Sequence, residues 1–234
     1  MENNDLVSAV MSVYNSEHTI KKSIQSLLNQ DYSNIEILII DDCSDDKTEH
    51  IIKELMKEHS QIKFIKNERN IGLTKSLNKL IKHVSGEYIV RQDGDDESEP
   101  NRVSLQLSYL KENKLDACTT RARVIGKNKV VPNLSFYLPI NISMRFKNPF
   151  IHGSLMIKSK VLKEIGMYDE NFYYAQDYKL MKDLLTSKYN LGIMREKLYL
   201  LNMNNNISSL HKEKQKYYAD CVRGNITPKE TFND

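Results

Sequence analysis

The segment Arg91-Gln-Asp-Gly-Asp-Asp96 places three carboxylates within four positions. The run before it, Glu87–Arg91, follows the turn signal Ser85-Gly86 and is rich in β-branched and aromatic residues, which predicts a short strand ending at the acidic segment. Carboxylates this close repel one another unless they are solvated or share a cation. Asp93 and Asp95 therefore predict either a site for a hard divalent ion shared with substrate phosphates or a solvated acidic turn.

Polar side chains also follow the two strands predicted earlier in the chain. Val13-Tyr-Asn15 ends the apolar run that begins at Leu6, and Asp41-Asp42 ends the run Ile35–Ile40. Open α/β sheets bind ligands at the carboxyl ends of their strands, so we expect these loops to form one site. A carboxylate there can accept a hydrogen bond from a base, Tyr14 can stack on it, and Gly94 lets the backbone approach a ligand closely. Together the loops predict a nucleotide–diphosphate site, whereas each loop alone is ordinary turn chemistry.

The elements that must position these loops alternate regularly. Runs typical of buried strands lie at 6–13, 35–40, 62–65 and 87–91. The segments between them carry apolar residues at helical spacing. This alternation of strand and helix predicts an α/β fold with a parallel sheet and right-handed crossovers.

After Asp116 the pattern is less regular. Strand-like runs at 118–125 and 155–157 flank a stretch with Pro132, Pro139 and Pro149 that the sequence does not assign. Helices are predicted at 159–165, 177–185 and 211–222. Neither an internal repeat nor a low-complexity linker interrupts the chain, so we expect a single domain over 1–234.

The composition favours a soluble globular protein. Of the 234 residues, 40% are hydrophobic and 28% are charged, and the mean hydropathy is −0.55. No run is apolar enough to span a membrane, the first residues are polar, and the three cysteines are widely spaced, so we expect a cytoplasmic protein with reduced thiols. Neither GxGxxG nor GxxxxGK[ST] occurs, and a net charge of +3 is too small to indicate a nucleic-acid partner.

Positive charge is concentrated in one part of the chain. Between Ala117 and Lys163 there are nine basic residues and no Asp or Glu. The nine are Arg121, Arg123, Lys127, Lys129, Arg145, Lys147, Lys158, Lys160 and Lys163. This bias suits an anionic acceptor or peripheral contact with the inner face of a membrane, and a solvated surface is the ordinary alternative.

Several short segments, taken in order, strongly resemble the inverting family-2 glycosyltransferases of GT-A fold, which include bacterial polysaccharide and lipopolysaccharide sugar transferases. The segments are Ser12-Val-Tyr-Asn15, Ser26-Leu-Leu-Asn-Gln30, Ile39-Ile-Asp-Asp-Cys-Ser-Asp45, Asn70-Ile-Gly-Leu73, Asn78, Gly86–Asp96, Pro100-Asn-Arg102 and Gln106. The resemblance implies a Rossmann-like, mostly parallel sheet flanked by helices. It also implies that 1–115 binds the nucleotide sugar and that a mixed part at 116–234, with a C-terminal helix, binds the acceptor.

The same resemblance implies metal-dependent transfer from a nucleotide–diphosphate sugar, with a UDP-sugar favoured. Asp42, ahead of Asp41, would bind the base, and Asp95, helped by Asp93, would hold Mn²⁺ or Mg²⁺ against the diphosphate. The expected donor contacts are Val13, Tyr14, Asn15, Asp41, Asp42, Gly72, Lys75, Arg91, Asp93, Gly94 and Asp95. Structural ion pairing is the alternative role for Lys75 and Arg91.

The second half resembles the family through His152-Gly-Ser-Leu-Met156, Gly166-Met-Tyr-Asp169 and Ala175–Leu180. The family carries a Glu-Asp or Gln-Asp pair whose Asp is the catalytic base, and Gln176-Asp177 fits that pair. The resemblance thus implies that Asp177 is the base and that Gln176 contacts the acceptor. A carboxylate that simply favours a helix N-terminus is the alternative for Asp177.

Two histidines are weaker candidates. His152 is expected to line the acceptor pocket, with a half-buried structural histidine as the alternative. His211 is expected to serve as an additional metal ligand, because GT-A enzymes often recruit a late histidine, and an ordinary surface histidine is the alternative.

The acceptor implied by the family is a glycan or a glycolipid, which the basic segment allows to be anionic. The QxxRW signature of processive members is absent, so we expect transfer of a single sugar. A polyprenyl-phosphate sugar transferase and a non-catalytic nucleotide-sugar-binding module are the alternatives, although the intact Asp93, Asp95 and Asp177 argue against the module. A homo-oligomer is compatible with the sequence.

Overall fold

The computed structural model describes residues 5–203 and 211–229, and its strands form one continuous sheet. The strands are β1 Val7–Val13, β2 Ile35–Asp41, β3 Ile62–Lys66, β4 Tyr88–Arg91, β5 Glu97–Ser98, β6 Ala117–Val124, β7 Val130–Val131, β8 Met156–Lys158 and β9 Leu191–Leu201. The sheet takes strands from both predicted parts of the chain. The division into a donor half and an acceptor half stays a prediction.

Eight α-helices are described around the sheet in residues 5–203 and 211–229. They are α1 Ile20–Leu28, α2 Thr48–Glu58, α3 Leu73–Ile81, α4 Arg102–Glu112, α5 Ile140–Ser143, α6 Ser159–Glu164, α7 Gln176–Thr186 and α8 Lys212–Gly224. Short 3₁₀ helices occur at Leu134–Tyr137 and His152–Ser154. Among the described helices, none has the length and apolarity needed to cross a bilayer.

The strand order is β3-β2-β1-β4-β8-β6-β9-β5, with β7 paired to β6. β1 pairs in parallel with β2 on one side and with β4 on the other. Chain order therefore reverses at β1, and in open α/β sheets the crevice beyond the strand ends at such a point is the usual ligand site. Beyond β4 the sheet becomes mixed, because β8 runs antiparallel to both β4 and β6.

Different helices cover the two faces of the sheet. Helices α1, α2 and α4 bury apolar residues such as Ile24 and Leu107 against one face, and α3, α6, α7 and α8 cover the other with residues such as Leu77. Successive residues of a strand point to opposite faces, so Met11 lies in the first core and Val10 in the second. Burial on both faces explains why β1 and β2 are continuous apolar runs rather than alternating ones.

The predicted α/β sheet flanked by helices is confirmed, and the predicted helices near 159–165, 177–185 and 211–222 correspond to α6, α7 and α8. The sequence failed to predict β9, although it is the longest strand of the described residues. The charged run Arg195–Lys197 interrupts its apolar pattern where the pairing with β6 shifts register around Arg121. A bulge places extra residues on one strand, so strict alternation is lost there.

The three cysteines, Cys43, Cys118 and Cys221, are free thiols in the structure. Cys118 and Cys221 are buried in the two different cores, and Cys43 is partly exposed after β2. The prediction that the cysteines form no disulfide is confirmed for this structure.

Candidate active site

The three loops predicted to form one site meet at the carboxyl edge of the parallel strands. Val13 lies beside Asp41 in the β1–β2 register, and Val10 lies beside Arg91 in the β1–β4 register. A Cβ added to Gly94 would approach Cγ1 of Val13 to 2.8 Å. The absence of a side chain on Gly94 thus allows the acidic loop to pack directly against the end of β1.

Arg91 neutralises one carboxylate of the acidic loop. Its Nη1 and Nη2 donate to the two carboxylate oxygens of Asp93 at 2.6 and 2.5 Å, a bidentate pair. Burial would lower the pKa of Arg91, but the charge of Asp93 raises it overall, so the guanidinium stays charged. The Arg91 side chain is only 2% exposed. The ion pair that was the alternative role for Arg91 is thus present, and its contact with the donor stays a prediction.

The negative charges of the other two carboxylates, Asp95 and Asp96, are less completely compensated than that of Asp93. Burial, and then the negative charge of Asp93, raise the pKa of Asp95 to about 6. Burial and the charges of Asp93 and Asp95 raise the pKa of Asp96 to about 8. Asp96 is almost fully buried and accepts a hydrogen bond from the Asn202 N–H at 2.6 Å. Asp95 is the more exposed of the two, so it is the carboxylate whose charge an external cation could balance.

A buried guanidinium lies beneath this loop. Arg102, on the first turn of α4, is fully buried and has no carboxylate partner among the described residues. Its Nη1 donates to Oε1 of Gln92 at 3.0 Å, and its Nη2 donates to the carbonyls of Arg91 and Gly153 at 2.9 and 3.2 Å. Burial lowers the pKa of Arg102 to about 10. Neutral acceptors thus satisfy this cation, and through it they tie the Arg91 backbone and the Gln92 side chain to the Gly153 backbone.

Tyr199 of β9 joins Arg102 to the acidic loop. Its ring lies 4.9 Å from Cζ of Arg102, a cation–π distance. Its fully buried hydroxyl accepts a hydrogen bond from the Asp93 N–H at 3.1 Å and donates to the Asp96 carboxylate. A Cβ on Gly153 would lie 2.2 Å from this hydroxyl, so only glycine fits at that position. The strand missed from the sequence therefore carries a residue that holds the loop.

The loop after β2 is built around Asp42, which is 3% exposed. Its carboxylate accepts hydrogen bonds from the Asn67 side chain and from the Ile71 and Gly72 N–H groups at 2.8 to 2.9 Å. Asp42 thereby ties the end of β2 to the start of α3. Its predicted contact with the base stays a prediction, and it would use a lone pair that these bonds leave free.

Asp41 is fully buried, and one of its oxygens accepts hydrogen bonds from the Ser44 N–H and hydroxyl. Its other oxygen, Oδ2, has no hydrogen-bond partner among the described residues, and Nζ of Lys66 lies 3.9 Å away. Both aspartates are buried, and the predicted contact of Asp41 with a donor stays a prediction.

The remaining predicted donor residues surround the same crevice. Tyr14 is 49% exposed, so its ring is free to stack on a base. Asn15 adopts a positive φ of 48° and accepts a hydrogen bond from the Asp45 N–H, which ties the first loop to the second. Gly72 has a φ of 84° just before α3, and Lys75 is exposed on the first turn of that helix. Their contacts with a donor stay predictions.

Asp177 lies on the first turn of α7, half-buried, and its Oδ2 accepts a hydrogen bond from the Asn148 side chain at 2.8 Å. Burial raises the pKa of Asp177 from its ordinary value, and its hydrogen bonds and the charge of Arg91 oppose that rise. Because Arg91 acts on both Asp93 and Asp177, the candidate base and the acidic loop lie around one guanidinium.

Tyr168 lies within the electrostatic range of both carboxylates and is hydrogen-bonded to His152. Burial raises the pKa of the Tyr168 phenol, and the charges of Arg91, Asp177 and Asp93 also act on it. Its hydroxyl lies 2.7 Å from Nε2 of His152, and burial followed by the charge of Arg91 lowers the pKa of that histidine. The structure gives His152 this internal hydrogen bond, and its contact with an acceptor stays a prediction.

Gln176 begins α7 beside Asp177 and is half-buried. The preceding residue, Ala175, adopts a left-handed conformation with φ 55°, which turns the chain sharply into the helix. Its predicted contact with the acceptor remains a prediction.

The donor set of the acidic loop fits a hard divalent ion. Both oxygens of Asp93 are engaged by Arg91, whereas the raised pKa of Asp95 reflects negative charge without full compensation. No group of three His, Cys, Asp or Glu side chains suited to a metal occurs in 5–203 and 211–229. Mn²⁺ and Mg²⁺ are commonly held by one or two carboxylates together with substrate phosphates, so the acidic pair fits an ion shared with a diphosphate.

His211 immediately precedes α8, and its ring centroid lies 5.5 Å from that of Tyr174. Within the described part of the chain, the structure does not assemble His211 with Asp93 and Asp95 into a three-ligand group. A role for His211 as a metal ligand stays a prediction.

Part of the basic segment is neutralised by acids outside it. Arg123 pairs with Glu99, Lys158 lies 2.9 Å from Asp116, and Lys160 lies 3.6 Å from Glu164. The local excess of positive charge is therefore smaller than the sequence indicated, because residues distant in the chain supply the counter-charges.

Sequence reasoning missed the buried polar layer that supports the acidic loop. Arg102 and Gln106 were part of the family resemblance, but no role was assigned to them. They occur at i and i+4 on the same helical face as Val103 and Leu107, and the Arg102 Nε donates to the Gln106 side chain at 2.8 Å. Polar residues on the core-facing side of a helix must form hydrogen bonds inside the protein. The spacing of Arg102 and Gln106 was therefore the sequence feature that could have predicted their buried hydrogen-bonding role.

The family model that describes glycosyl transferase family 2 matches residues 8–168, more than half of the chain. The chain belongs to glycosyl transferase family 2. This result confirms the resemblance that the sequence segments carry, and the family includes bacterial polysaccharide transferases.

Curated relatives of this family-2 glycosyltransferase match most of its length. An uncharacterized glycosyltransferase, MJ1057 from Methanocaldococcus jannaschii, is 34% identical and covers 92% of this chain and 78% of its own. The Escherichia coli protein WfgD, a UDP-Glc:alpha-D-GlcNAc-diphosphoundecaprenol beta-1,3-glucosyltransferase, is 30% identical and covers 91% of this chain and 84% of its own.

Solved structures confirm the GT-A fold. S. aureus TarS 1-349 in complex with UDP-GlcNAc superposes with a TM-score of 0.73 at 20% identity, covering 86% of this chain and 59% of that one. The mannosyltransferase PcManGT from Pyrobaculum calidifontis, in complex with GDP-Man and Mn²⁺, gives a TM-score of 0.76 at 16% identity and covers 96% and 66%.

The raised pKa of Asp96 predicts a pH-dependent stability that Asp96→Asn removes. The folded protein holds this proton with a pKa of about 8 against the ordinary value of 3.8, so the unfolding free energy of the unmodified protein should fall as pH rises from about 4 to about 8. Asparagine cannot ionise and still offers an acceptor to the Asn202 N–H. We expect Asp96→Asn to be the more stable protein by at least about 1 kcal/mol at pH 9.

Urea unfolding at a series of pH values in EDTA measures this difference. Glu58→Gln, at the exposed end of α2, is the control and should run parallel to the unmodified protein. If the stability of Asp96→Asn depends on pH in the same way as that of the unmodified protein, Asp96 does not keep its proton in the folded state as predicted.

Proposed function

We propose that this chain transfers a single sugar, with inversion, from a UDP-sugar to a glycan or glycolipid acceptor in cell-surface polysaccharide synthesis. The observation that carries the proposal is the shared electrostatic neighbourhood of Asp93 and Asp177 around Arg91 and Tyr168. A donor-binding loop and a candidate base beside one small polar cluster are what a displacement at an anomeric carbon needs.

The donor is proposed to lie along the carboxyl edge of β1, β2 and β4. Tyr14 would stack on the base and Asp42 would accept its N–H, while Asn15 and Gly72 shape the loops on either side. TarS was crystallised with UDP-GlcNAc and WfgD is named for UDP-Glc, which supports uridine as the base. Lys75 would reach the diphosphate as an exposed cation on the first turn of α3.

Asp95, assisted by Asp93, is proposed to hold Mn²⁺ or Mg²⁺. The ion, when bound, would neutralise the charge that develops on the departing diphosphate. Arg91 keeps Asp93 ionised and oriented, and the Tyr199 hydroxyl holds the Asp93 backbone in place. PcManGT was crystallised with Mn²⁺, which supports this proposal.

Asp177 is proposed to act as the catalytic base. The acceptor hydroxyl would transfer its proton to the Asp177 carboxylate as its oxygen bonds to the anomeric carbon, and the bond to the diphosphate breaks with its electrons leaving on the nucleotide. Burial raises the pKa of Asp177, which strengthens it as a base near neutral pH. Asn148 orients the carboxylate through one of its oxygens.

The acceptor is proposed to lie between α7 and the residues that follow the β6–β7 hairpin. His152 and Gln176 border this space and would contact the acceptor sugar. WfgD is named for a diphosphoundecaprenol-linked acceptor, which supports a glycolipid with anionic phosphates. Six basic residues of the segment have no carboxylate partner in the described ranges and would suit such a charge.

The first test is metal-dependent binding of a nucleoside diphosphate. In calorimetry with UDP, GDP, CDP and ADP, we expect UDP to bind best and Mn²⁺ to strengthen its binding, because the ion bridges carboxylate and pyrophosphate. Asp95→Asn should abolish the Mn²⁺ enhancement and change the unfolding free energy by no more than about 1 kcal/mol, since that side chain is partly exposed. Asp31→Asn, an exposed acid away from the loop, is the matched control.

Equal, weak binding of the four diphosphates that EDTA leaves unchanged would contradict the donor proposal. Normal Mn²⁺ enhancement in Asp95→Asn would show instead that the acidic loop is only a solvated turn.

The second test concerns the base. Asp177→Asn keeps the shape of the side chain but cannot accept the proton, so kcat should fall by roughly 10²- to 10⁴-fold. UDP and Mn²⁺ affinities should be unchanged, because the proposed donor residues lie on other loops. Steady-state kinetics with a lipid-linked acceptor, together with UDP calorimetry, measure both quantities.

Asp183→Asn, an acid on the same helix that pairs with Lys179, is the control and should retain most of its activity. If Asp177→Asn transfers sugar as fast as the unmodified protein, Asp177 is not the base, and Asp169 and Glu170 become the next candidates.

A further inference from the structure

The segment 134–146, here called the 134–146 surface, exposes a concentration of apolar side chains. Of the ten large hydrophobic residues exposed in the described part of the chain, five lie in this segment: Leu134, Tyr137, Leu138, Ile142 and Phe146. Leu134 and Phe146 are 77% and 71% exposed, the highest values of the ten. Scattered exposed hydrophobic residues are ordinary, but a group in one short segment marks a surface that binds a partner.

Buried residues anchor this surface to the domain. Ser143 donates its hydroxyl to the Ser135 carbonyl at 3.1 Å, which ties α5 to the preceding 3₁₀ helix. The Tyr178 hydroxyl donates to the Met144 carbonyl at 2.5 Å, and Met144 itself is 4% exposed. The exposed apolar side chains therefore project from a backbone that the buried residues Ser135, Ser143 and Met144 hold against the domain.

Basic residues flank the 134–146 surface along the chain, and one ion pair, Arg223 with Asp220, lies beside Phe146, whose carbonyl accepts a hydrogen bond from Nη1 of Arg223 at 3.1 Å. Lys127, Lys129, Arg145 and Lys147 are exposed and have no carboxylate partner among the described residues. No acidic residue occurs anywhere from 117 to 163. Arg121 lies below the surface, with its Cζ 4.8 Å from the Phe136 ring.

We propose that the 134–146 surface docks on an anionic lipid bilayer. Aliphatic and aromatic side chains enter the boundary between headgroups and acyl chains, and basic side chains at their edge contact lipid phosphates. Symmetric pairing with a second copy would bring the same basic residues against one another, which disfavours a dimer through this surface. The aliphatic tips of Leu134 and Ile142 also offer no hydrogen bonds to a sugar.

The surface is continuous with the proposed active site. Asn148, just after Phe146 and Lys147, donates its side-chain N–H to the Asp177 carboxylate at 2.8 Å. Docking would place Asp177 close to the bilayer, where a lipid-linked acceptor presents its sugar. This last consequence rests on the proposed function, whereas the docking itself does not.

The chain contains no tryptophan, so one introduced tryptophan reports on its own surroundings. Phe146→Trp should show a blue-shifted emission when mixed with vesicles of equal parts phosphatidylglycerol and phosphatidylcholine, and no shift with phosphatidylcholine alone. Leu105→Trp, at a 37% exposed position on the outer side of α4, is the matched control and should not shift with either vesicle.

A charge-reversal pair tests the electrostatic part. Arg145→Glu with Lys147→Glu should weaken binding to the anionic vesicles at least tenfold. Lys21→Glu with Lys22→Glu makes the same change in net charge on the exposed side of α1 and should bind nearly as well as the unmodified protein. Vesicle flotation at fixed protein concentration gives the bound fraction for each variant.

Four outcomes would overturn the proposal: no emission shift at Phe146→Trp, an equal shift at Leu105→Trp, equal binding to neutral and anionic vesicles, or equal losses in the two charge-reversal pairs. A dimer in solution whose dissociation shifts the Phe146→Trp emission would assign the surface to a second copy instead. UDP–Mn²⁺ affinity, measured without vesicles, should be the same in all four variants. Vesicle binding with no nucleotide binding would refute the proposed function and leave the docking surface intact.

Discussion

A buried cation with only neutral partners underlies the candidate active site. Arg102 must be satisfied inside the core, because an unpaired guanidinium there would be strongly destabilising. Its hydrogen bonds to Gln92 and to the carbonyls of Arg91 and Gly153 fix the chain where the acidic loop begins and tie it to the 3₁₀ helix His152–Ser154. The backbone that carries Asp93 and Asp95 is thus positioned by a buried polar layer, which includes Arg102 of α4 and Tyr199 of β9.

The acidic loop above that layer brings three carboxylates close together. Their mutual repulsion is unfavourable, and a bound cation can reduce it. Arg91 compensates Asp93, and Asp96 is buried with a pKa of about 8, which leaves the carboxylate of Asp95 as the open one. The same Arg91 also acts on Asp177 across the cluster. One guanidinium therefore links the residues proposed for the donor side with the residue proposed for the acceptor side.

The sequence predicted the features that local patterns encode. Continuous apolar runs identified β1 and β2, and the polar residues after those runs identified the loops at the sheet edge. It did not predict β9, because a bulge and the charged residues Arg195–Lys197 hide its alternation. Without β9, the role of Tyr199 could not be inferred. The counter-charge that Glu99 supplies to Arg123 was also missed, since these residues meet only through the pairing of β5 with β9 and of β9 with β6.

Tyr199→Phe tests most directly the claim that the buried polar layer positions the acidic loop. Phenylalanine keeps the ring 4.9 Å from Arg102 but removes the hydroxyl that binds the Asp93 N–H at 3.1 Å. Calorimetry of UDP with and without Mn²⁺ should show a loss of roughly tenfold in the Mn²⁺-dependent part of the affinity, the effect expected from losing the hydrogen bond to the Asp93 N–H, with metal-free binding unchanged. Tyr109→Phe on α4 is the control. An Mn²⁺ enhancement in Tyr199→Phe equal to that of the unmodified protein would contradict the account.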